Sequence, residues 1–405
     1  MTEPRLPKIS DTLTEMGPLG TRLFRLGLVV GVLALAGSLA LGLSEGDHLR
    51  HFSFSWLVSF AFFLSISLGA LIFIPIQFVT RASWSVVVRR LAEVGAMALP
   101  FMAVGLLPIL LNIPEVYEWA SDHPHHLTPE LAAHKAPYLN TPFFLIRWVI
   151  YFVVWTALAV YFWRTSRKQD ETHDTALTLK MTNVSGPAIV LFALTCTFAS
   201  IDLLMTLDPV WFSTIFGVYY FAGGFVTFYA VLTLVTMGLQ RSGRLENLIS
   251  MEHFHDYGKL MFAFTFFWAY IAFSQYMLIW YANIPEETAW YLIRSQGGWR
   301  TLGMILAVGA FVIPFAGLIS RFAKRNQALL AFWAVWIFIM QYFNLYWVAM
   351  PVFSPDHVSL GVMDLLTFLA VGGLWVALLA RLASRASLIP KGDPRLSDSL
   401  MFENA

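Results

Sequence analysis

Thr195, Ala199, Asp202 and Thr206 follow one another at intervals of four, three and four residues, so a helix carries them on one small, polar face. Asp202 is the only carboxylate lying well inside any of the long apolar segments of this chain. A charge at the centre of a membrane helix costs roughly 2.5–3.5 kcal/mol on insertion scales and by default faces a protein interior. There it either handles protons or a ligand, or is paired and ties helices together. Asp208 follows just beyond the segment, about 9 Å further along the axis if the helix continues that far. Arg147 enters the preceding apolar segment from the same side, and His51 begins an earlier one there. A carboxylate held beside an arginine stays ionised, whereas a desolvated one without a partner binds a proton near neutral pH.

Other polar side chains gather in the same halves of their segments. Ser274, Gln275 and Tyr276 stand near the end of one, and Gln341 and Asn344 share a face of another. Such amides are either ligand contacts or hydrogen-bonded links between helices. On the opposite side Glu93 opens a segment together with Arg89 and Arg90, and His253, His255, Asp256 and Lys259 open another. Solvated helix starts account for most of these, but Glu93 is placed to take up protons from that side. The longest connection, about 30 residues over 112–141, holds Glu115, Glu118, Asp122 and Glu130 with His123, His125, His126 and His134. It reads as a docking loop, with metal binding by its histidines as the alternative.

All ten histidines, the others being His48, His173 and His357, fall in loops or at segment edges. A cytochrome b type haem takes axial ligands, usually histidines, from facing helices at depth. Cys196 is the single cysteine, which excludes an intrachain disulfide and argues against an iron–sulfur cluster held by this chain. No cofactor is therefore expected on this chain itself, with quinol left open.

The elements that must position these residues are apolar helices. Of 405 residues 58% are hydrophobic and 13% charged, unlike a soluble globular chain. Runs of about 20 apolar residues, enough to cross a bilayer, fall near 23–43, 52–79, 94–111, 143–163, 187–207, 211–239, 257–281, 301–320, 328–349 and 360–380. The expected fold is an all-α integral membrane protein with ten transmembrane helices. Residues 1–22 form an N-terminal segment, 23–380 one membrane domain and 381–405 a C-terminal tail. Of the 26 Lys and Arg only Arg50, Lys135, Arg147, Arg294 and Arg300 lie on one side, so the positive-inside rule puts both termini in the cytoplasm. The first run follows about 20 polar residues without a small-residue cleavage site and is expected to remain as an anchor.

Gly27, Gly31, Ala34, Ser38 and Gly42 line one face of the first run, and Gly373, Ala377 and Ala380 repeat the device in the last. These faces suit close helix contact, within the chain or with another subunit. Pro75, Pro100, Pro108 and Pro314 lie inside runs and should kink them. Trp280, Tyr281, Trp290, Tyr291, Tyr346 and Trp347 sit at run ends as expected of interfacial anchors.

The stretches 138–155 (YLNTPFFLIRWVIYFVVW), 197–224 (TFASIDLLMTLDPVWFSTIFGVYYFAGG) and 253–292 (HFHDYGKLMFAFTFFWAYIAFSQYMLIWYANIPEETAWYL), with the tail DPRLSDSLMFENA, resemble the polysulfide-reductase-type (NrfD-like) membrane subunits. Within these the chain is most similar to the ActF subunits of bacterial alternative complex III, over nearly its whole length. The resemblance implies two four-helix bundles, spans 2–5 and 6–9, flanked by spans 1 and 10. It implies a place in a quinol:cytochrome c oxidoreductase of the bacterial inner membrane. The partners would be an iron–sulfur subunit, c-type cytochrome subunits and a sister NrfD-like subunit. The sister is the one expected to oxidise quinol, while subunits of this kind support assembly and proton transfer. Asp202, Asp208, Arg147, His51, Gln275, Tyr276, Gln341 and Asn344 are then candidates for a proton or quinol pocket near the periplasmic face, and Glu93 for cytoplasmic proton entry. A purely structural scaffold and a stand-alone secondary transporter remain as other classes.

Overall fold

The computed structural model describes residues 9–121 and 127–403, and every regular element among them is a helix. Ten helical stretches are long and apolar enough to cross a membrane: α1 Asp11–Glu45, α2 Arg50–Val79, α3 Val86–Leu110, α4 Thr141–Thr172, α5 Ala176–Leu207, α6 Phe216–Arg241, α7 Met251–Ala282, α8 Gly297–Ile319, α9 Gln327–Phe353 and α10 Val362–Ala383. The chain is a multi-pass all-α membrane protein. Several helices run beyond the apolar segments, as α4 does through Arg164, Arg167 and Lys168, because good helix formers prolong the backbone ladder past the hydrocarbon.

α2 is apolar all round because it is enclosed all round. It packs against α3, α5, α6, α9 and α10, and its apolar window is wholly buried. Within the first half α3 also meets α4, and α4 meets α5. In the second half α6 packs on α7 and α9, and α8 packs on α7 and α9.

Three of the four prolines interrupt their helices, in two different ways, and Pro75 does not. α3 breaks into Val86–Ala96, Leu99–Gly105 and Leu107–Leu110, with Pro100 and Pro108 starting the second and third pieces. Ahead of Pro314 the helix widens into a π turn, Ala307–Val312, where the Trp336 indole donates to the Gly309 carbonyl at 2.7 Å. Pro75 lies inside an unbroken helix.

The small-residue faces of α1 and α10 pack on each other, which assigns them within the chain. A methyl group built on Gly27 would lie 2.7 Å from the Gly373 carbonyl oxygen, and one on Gly31 2.7 Å from the Leu374 nitrogen. Those neighbours are backbone and cannot rotate away. Gly31→Leu should therefore force α1 off α10 and destabilise the protein by about 1–3 kcal/mol. Thermal unfolding in detergent reads this, and an unshifted midpoint would contradict the packing.

The segments around Leu13, Leu245 and Leu388 meet on one face. Leu245 N donates to Leu13 O at 2.8 Å and Leu388 N to Thr14 O at 2.6 Å. The tail continues under α3, where Ser399 Oγ donates to the Trp84 carbonyl at 2.7 Å and accepts from Val87 N at 3.1 Å.

Candidate functional site

Asn140 opens the α4 helix by accepting from Phe143 N at 2.9 Å, which sets Arg147 two turns inside. Asp202 lies in the last turn of the helix Ala176–Leu203. Negative charge at a helix C-terminus opposes the macrodipole, so a cation is needed there. Arg147 supplies it in bidentate form, Nε to Oδ2 at 2.8 Å and Nη2 to Oδ1 at 2.9 Å. Tyr151 OH donates to Oδ2 at 2.8 Å and Tyr138 OH to Oδ1 at 3.0 Å. These four donors fill the four acceptor positions a carboxylate has. Arg147 also donates from Nη1 to the Tyr138 carbonyl at 2.8 Å and lies over the Tyr138 and Phe143 rings, 3.9 and 4.5 Å from their centroids. Asp202 is wholly buried and Arg147 is 5% exposed. A proton arriving on Asp202 would have to displace one of the donors, so the group is built as a closed ion pair between α4 and α5.

Tyr138 and Tyr151 were absent from the sequence candidates, although Tyr151 stands four residues after Arg147, on the same helical face.

Asp208 and His51 do not join this pair. The α5 helix does not continue to Asp208: it tightens to a 3-10 turn at Met205–Leu207, and Asp208 is extended. Pro209 follows it, and the residue before a proline is disfavoured in helical conformation. Asp208 Oδ1 instead accepts from Val210 N at 3.1 Å and Trp211 N at 3.2 Å. His51 sits against α1 and α9, its Nδ1 3.0 Å from Glu45 and its ring stacked on Phe353 at 4.9 Å.

Gln275, Tyr276 and Asn344 line one cavity of about 900 Å³ among α7, α8, α9 and the short helix Pro285–Arg294. Its lining is chiefly apolar and aromatic. Gln275 accepts from Ser213 Oγ at 2.8 Å and donates to Tyr291 OH at 3.1 Å. Asn344 accepts from Tyr219 OH and donates to Gln341 Oε1 at 3.1 Å, which sets Gln341 behind the wall. Trp290 and Tyr346 differ from the interfacial anchors expected of them. Both are buried, because the short helix folds Trp290 inward against Trp211, ring centroids 4.5 Å apart. Trp280 and Tyr281 are exposed.

Arg294, also outside the sequence candidates, is the buried cation of this cavity. Its guanidinium stacks on Trp290 at 3.4 Å and donates to the carbonyls of Trp290, Trp347 and Val348 at 2.8, 3.1 and 2.6 Å. No carboxylate pairs with it among the described residues, and burial pushes its pKa down to about 9 against the weaker pull of Asp208.

Glu93 lies in a third group, on the face with the termini. Its carboxylate takes Arg90 Nε at 2.8 Å and Arg89 Nε at 3.3 Å. Arg89 Nη1 reaches Asp393 of the tail at 2.8 Å, and Arg90 Nη2 reaches Asp170 of α4 at 2.7 Å. Glu93, Arg89 and Arg90 are all buried, so this helix start is an enclosed ion network rather than a solvated one. Asp364, another buried carboxylate at a helix start, accepts from Ser55 Oγ at 2.7 Å and Gly361 N at 2.8 Å. The suggested metal site falls largely at His123, His125 and His126, outside the described residues. No group of three or more His, Cys, Asp or Glu side chains that could hold a metal occurs among the described residues.

No family model matches this chain, and a search of curated proteins finds no match.

Proposed function

We propose that this chain is a membrane subunit of a respiratory quinol:cytochrome c oxidoreductase of the alternative complex III kind, whose task is to hold the complex together within the bilayer. The observation that carries the reading is the way the resembling stretches meet. Arg147, Tyr138 and Tyr151 of the first close on Asp202 of the second, and Ser213 of the second bonds Gln275 of the third. The stretches that carry the resemblance are thus joined to one another by polar contacts.

A closed pair favours assembly over proton relay at Asp202, because every acceptor position is occupied. The expected bundles α2–α5 and α6–α9, the inner-membrane location and the cytoplasmic termini belong to the same proposal. The mutual contacts of the helices support the first, and the asymmetry of Lys and Arg supports the last. Partners in this reading are an iron–sulfur subunit, c-type cytochromes and a sister NrfD-like subunit.

Affinity purification of the tagged chain from its native membrane tests the proposal. Co-purification of haem c and iron–sulfur polypeptides in fixed ratio is expected, with quinol:cytochrome c activity in the eluate. Recovery as a monomer or homodimer without cytochromes would overturn it in favour of a transporter.

A further inference from the structure

We propose that the cavity among α7, α8 and α9 is a binding site for an anionic phospholipid, with Arg294 and Arg300 receiving the phosphate and the aromatic walls receiving acyl chain. Three observations meet there. The cavity, about 900 Å³, is at the upper end of the roughly 300–1,000 Å³ of small-molecule sites. Two arginines line it and no aspartate or glutamate does. Exposed Phe266, Phe273 and Met304 stand on its rim and open it to the surrounding hydrocarbon.

The charges choose among occupants. Arg294 is buried without a carboxylate within ion-pair distance among the described residues, and Arg300 makes no side-chain hydrogen bond or ion pair among them. A buried cation in a low-dielectric setting gains most from an anion brought to it. Arg294 and Arg300 are also two of only five basic residues on the face where the chain otherwise avoids them, so their presence in one cavity has a local cause. A neutral quinone could hydrogen-bond to Gln275 or Tyr291 but would leave Arg300 uncompensated and Arg294 with only the weaker pull of Asp208. A phosphodiester compensates them while its chains cover the apolar lining, and Arg300, in the first turn of α8, is free to close over it.

Bromine-labelled lipids test this, because Trp280, Trp290 and Trp347 line the cavity and bromine quenches tryptophan fluorescence on contact. The purified full-length protein, with whatever subunits accompany it, is delipidated and placed in zwitterionic nanodiscs. Phosphatidylglycerol brominated on its acyl chains is then titrated against phosphatidylcholine brominated in the same way. Phosphatidylglycerol should quench at a several-fold lower mole fraction, and Arg300→Gln should weaken that preference about fivefold, the effect of one interfacial arginine. Arg300 has no partner among the described residues, so this variant folds. Met304→Phe, which fills the rim without adding a tryptophan, should reduce quenching by phosphatidylglycerol in parallel. Equal quenching by the two lipids, an unchanged preference in Arg300→Gln, or displacement of phosphatidylglycerol by an equimolar short-chain ubiquinone would each overturn the proposal. The preference is a property of this chain and is read independently of its complex, so its failure is distinct from failure of the proposed function.

Discussion

Arg147→Ala should destabilise the folded protein by about 3–5 kcal/mol, the usual consequence of leaving one buried charge without its partner. The loss comes chiefly from Asp202. With Arg147 gone, the wholly buried carboxylate keeps the hydroxyls of Tyr138 and Tyr151 but loses two charge-assisted bonds and its counter-charge. Asp202→Asn strands the Arg147 cation in turn, but should cost less because Arg147 keeps the Tyr138 carbonyl and the faces of the Tyr138 and Phe143 rings. The double replacement Arg147→Met with Asp202→Leu should recover much of the loss, since buried ion pairs are often no more stabilising than apolar residues of similar volume. Thermal unfolding of the wild type, Arg147→Met, Asp202→Leu and the double variant in one detergent closes the cycle. A strongly favourable coupling is expected. Additive effects would mean that the pair does not hold α4 to α5, and wild-type stability in Arg147→Ala would refute the closed-cage geometry.

The fold was legible where lipid imposes it and the sites only where one helix imposes them. Ten apolar runs announce ten helices because backbone polar groups in hydrocarbon must be satisfied within a segment. The face holding Thr195, Ala199, Asp202 and Thr206 was readable from spacing, and Arg147 from its side of the membrane. Tyr138 was not, since it reaches Asp202 from the loop before α4, and loop geometry leaves no periodic mark. His51 shares a membrane side with Arg147, but a side is a plane and does not locate a neighbour within it. Arg294 was read as one more charge in a loop. The sequence does not announce that Pro285–Arg294 folds inward as a helix, with Arg294 stacked on Trp290. The α1–α10 contact lay between these cases. Glycine spacing predicted a close approach, and only three dimensions showed that the partner is the chain's own last helix.

The largest effect on the opposite face should come from Arg89→Ala, which releases the C-terminal tail. Three cations, Arg89, Arg90 and Arg395, face three carboxylates, Glu93, Asp170 and Asp393. Arg89 alone bridges Glu93 of α3 to Asp393 of the tail, and both carboxylates are buried. Removing it leaves Glu93 to Arg90 alone and Asp393 to the more distant Arg395, so a loss of about 3 kcal/mol is expected. The loss should be concentrated in the tail, which α3 holds through few other polar contacts, and should be read by hydrogen exchange at Gly392 and Leu396. Those amides donate to Asp170 Oδ1 at 3.0 Å and to the Asp393 carbonyl at 3.1 Å. The pH dependence has a definite sign. Burial raises the Asp393 pKa, but the Arg89 charge, the Arg395 amide and the Arg395 charge together hold it below the ordinary carboxylate value. A carboxyl depressed in the folded state adds stability above its unfolded pKa of about 3.9, and that stability disappears as pH falls through the lower folded value. Tail protection, corrected for intrinsic exchange, should therefore stay level from neutral pH down to about pH 4 and drop below it. Arg89→Ala should abolish it at every pH. A midpoint near pH 6 to 7 would instead implicate an imidazole and overturn the carboxylate account. Unchanged protection in Arg89→Ala would mean that the tail is held by the Ser399 and Leu388 backbone contacts alone.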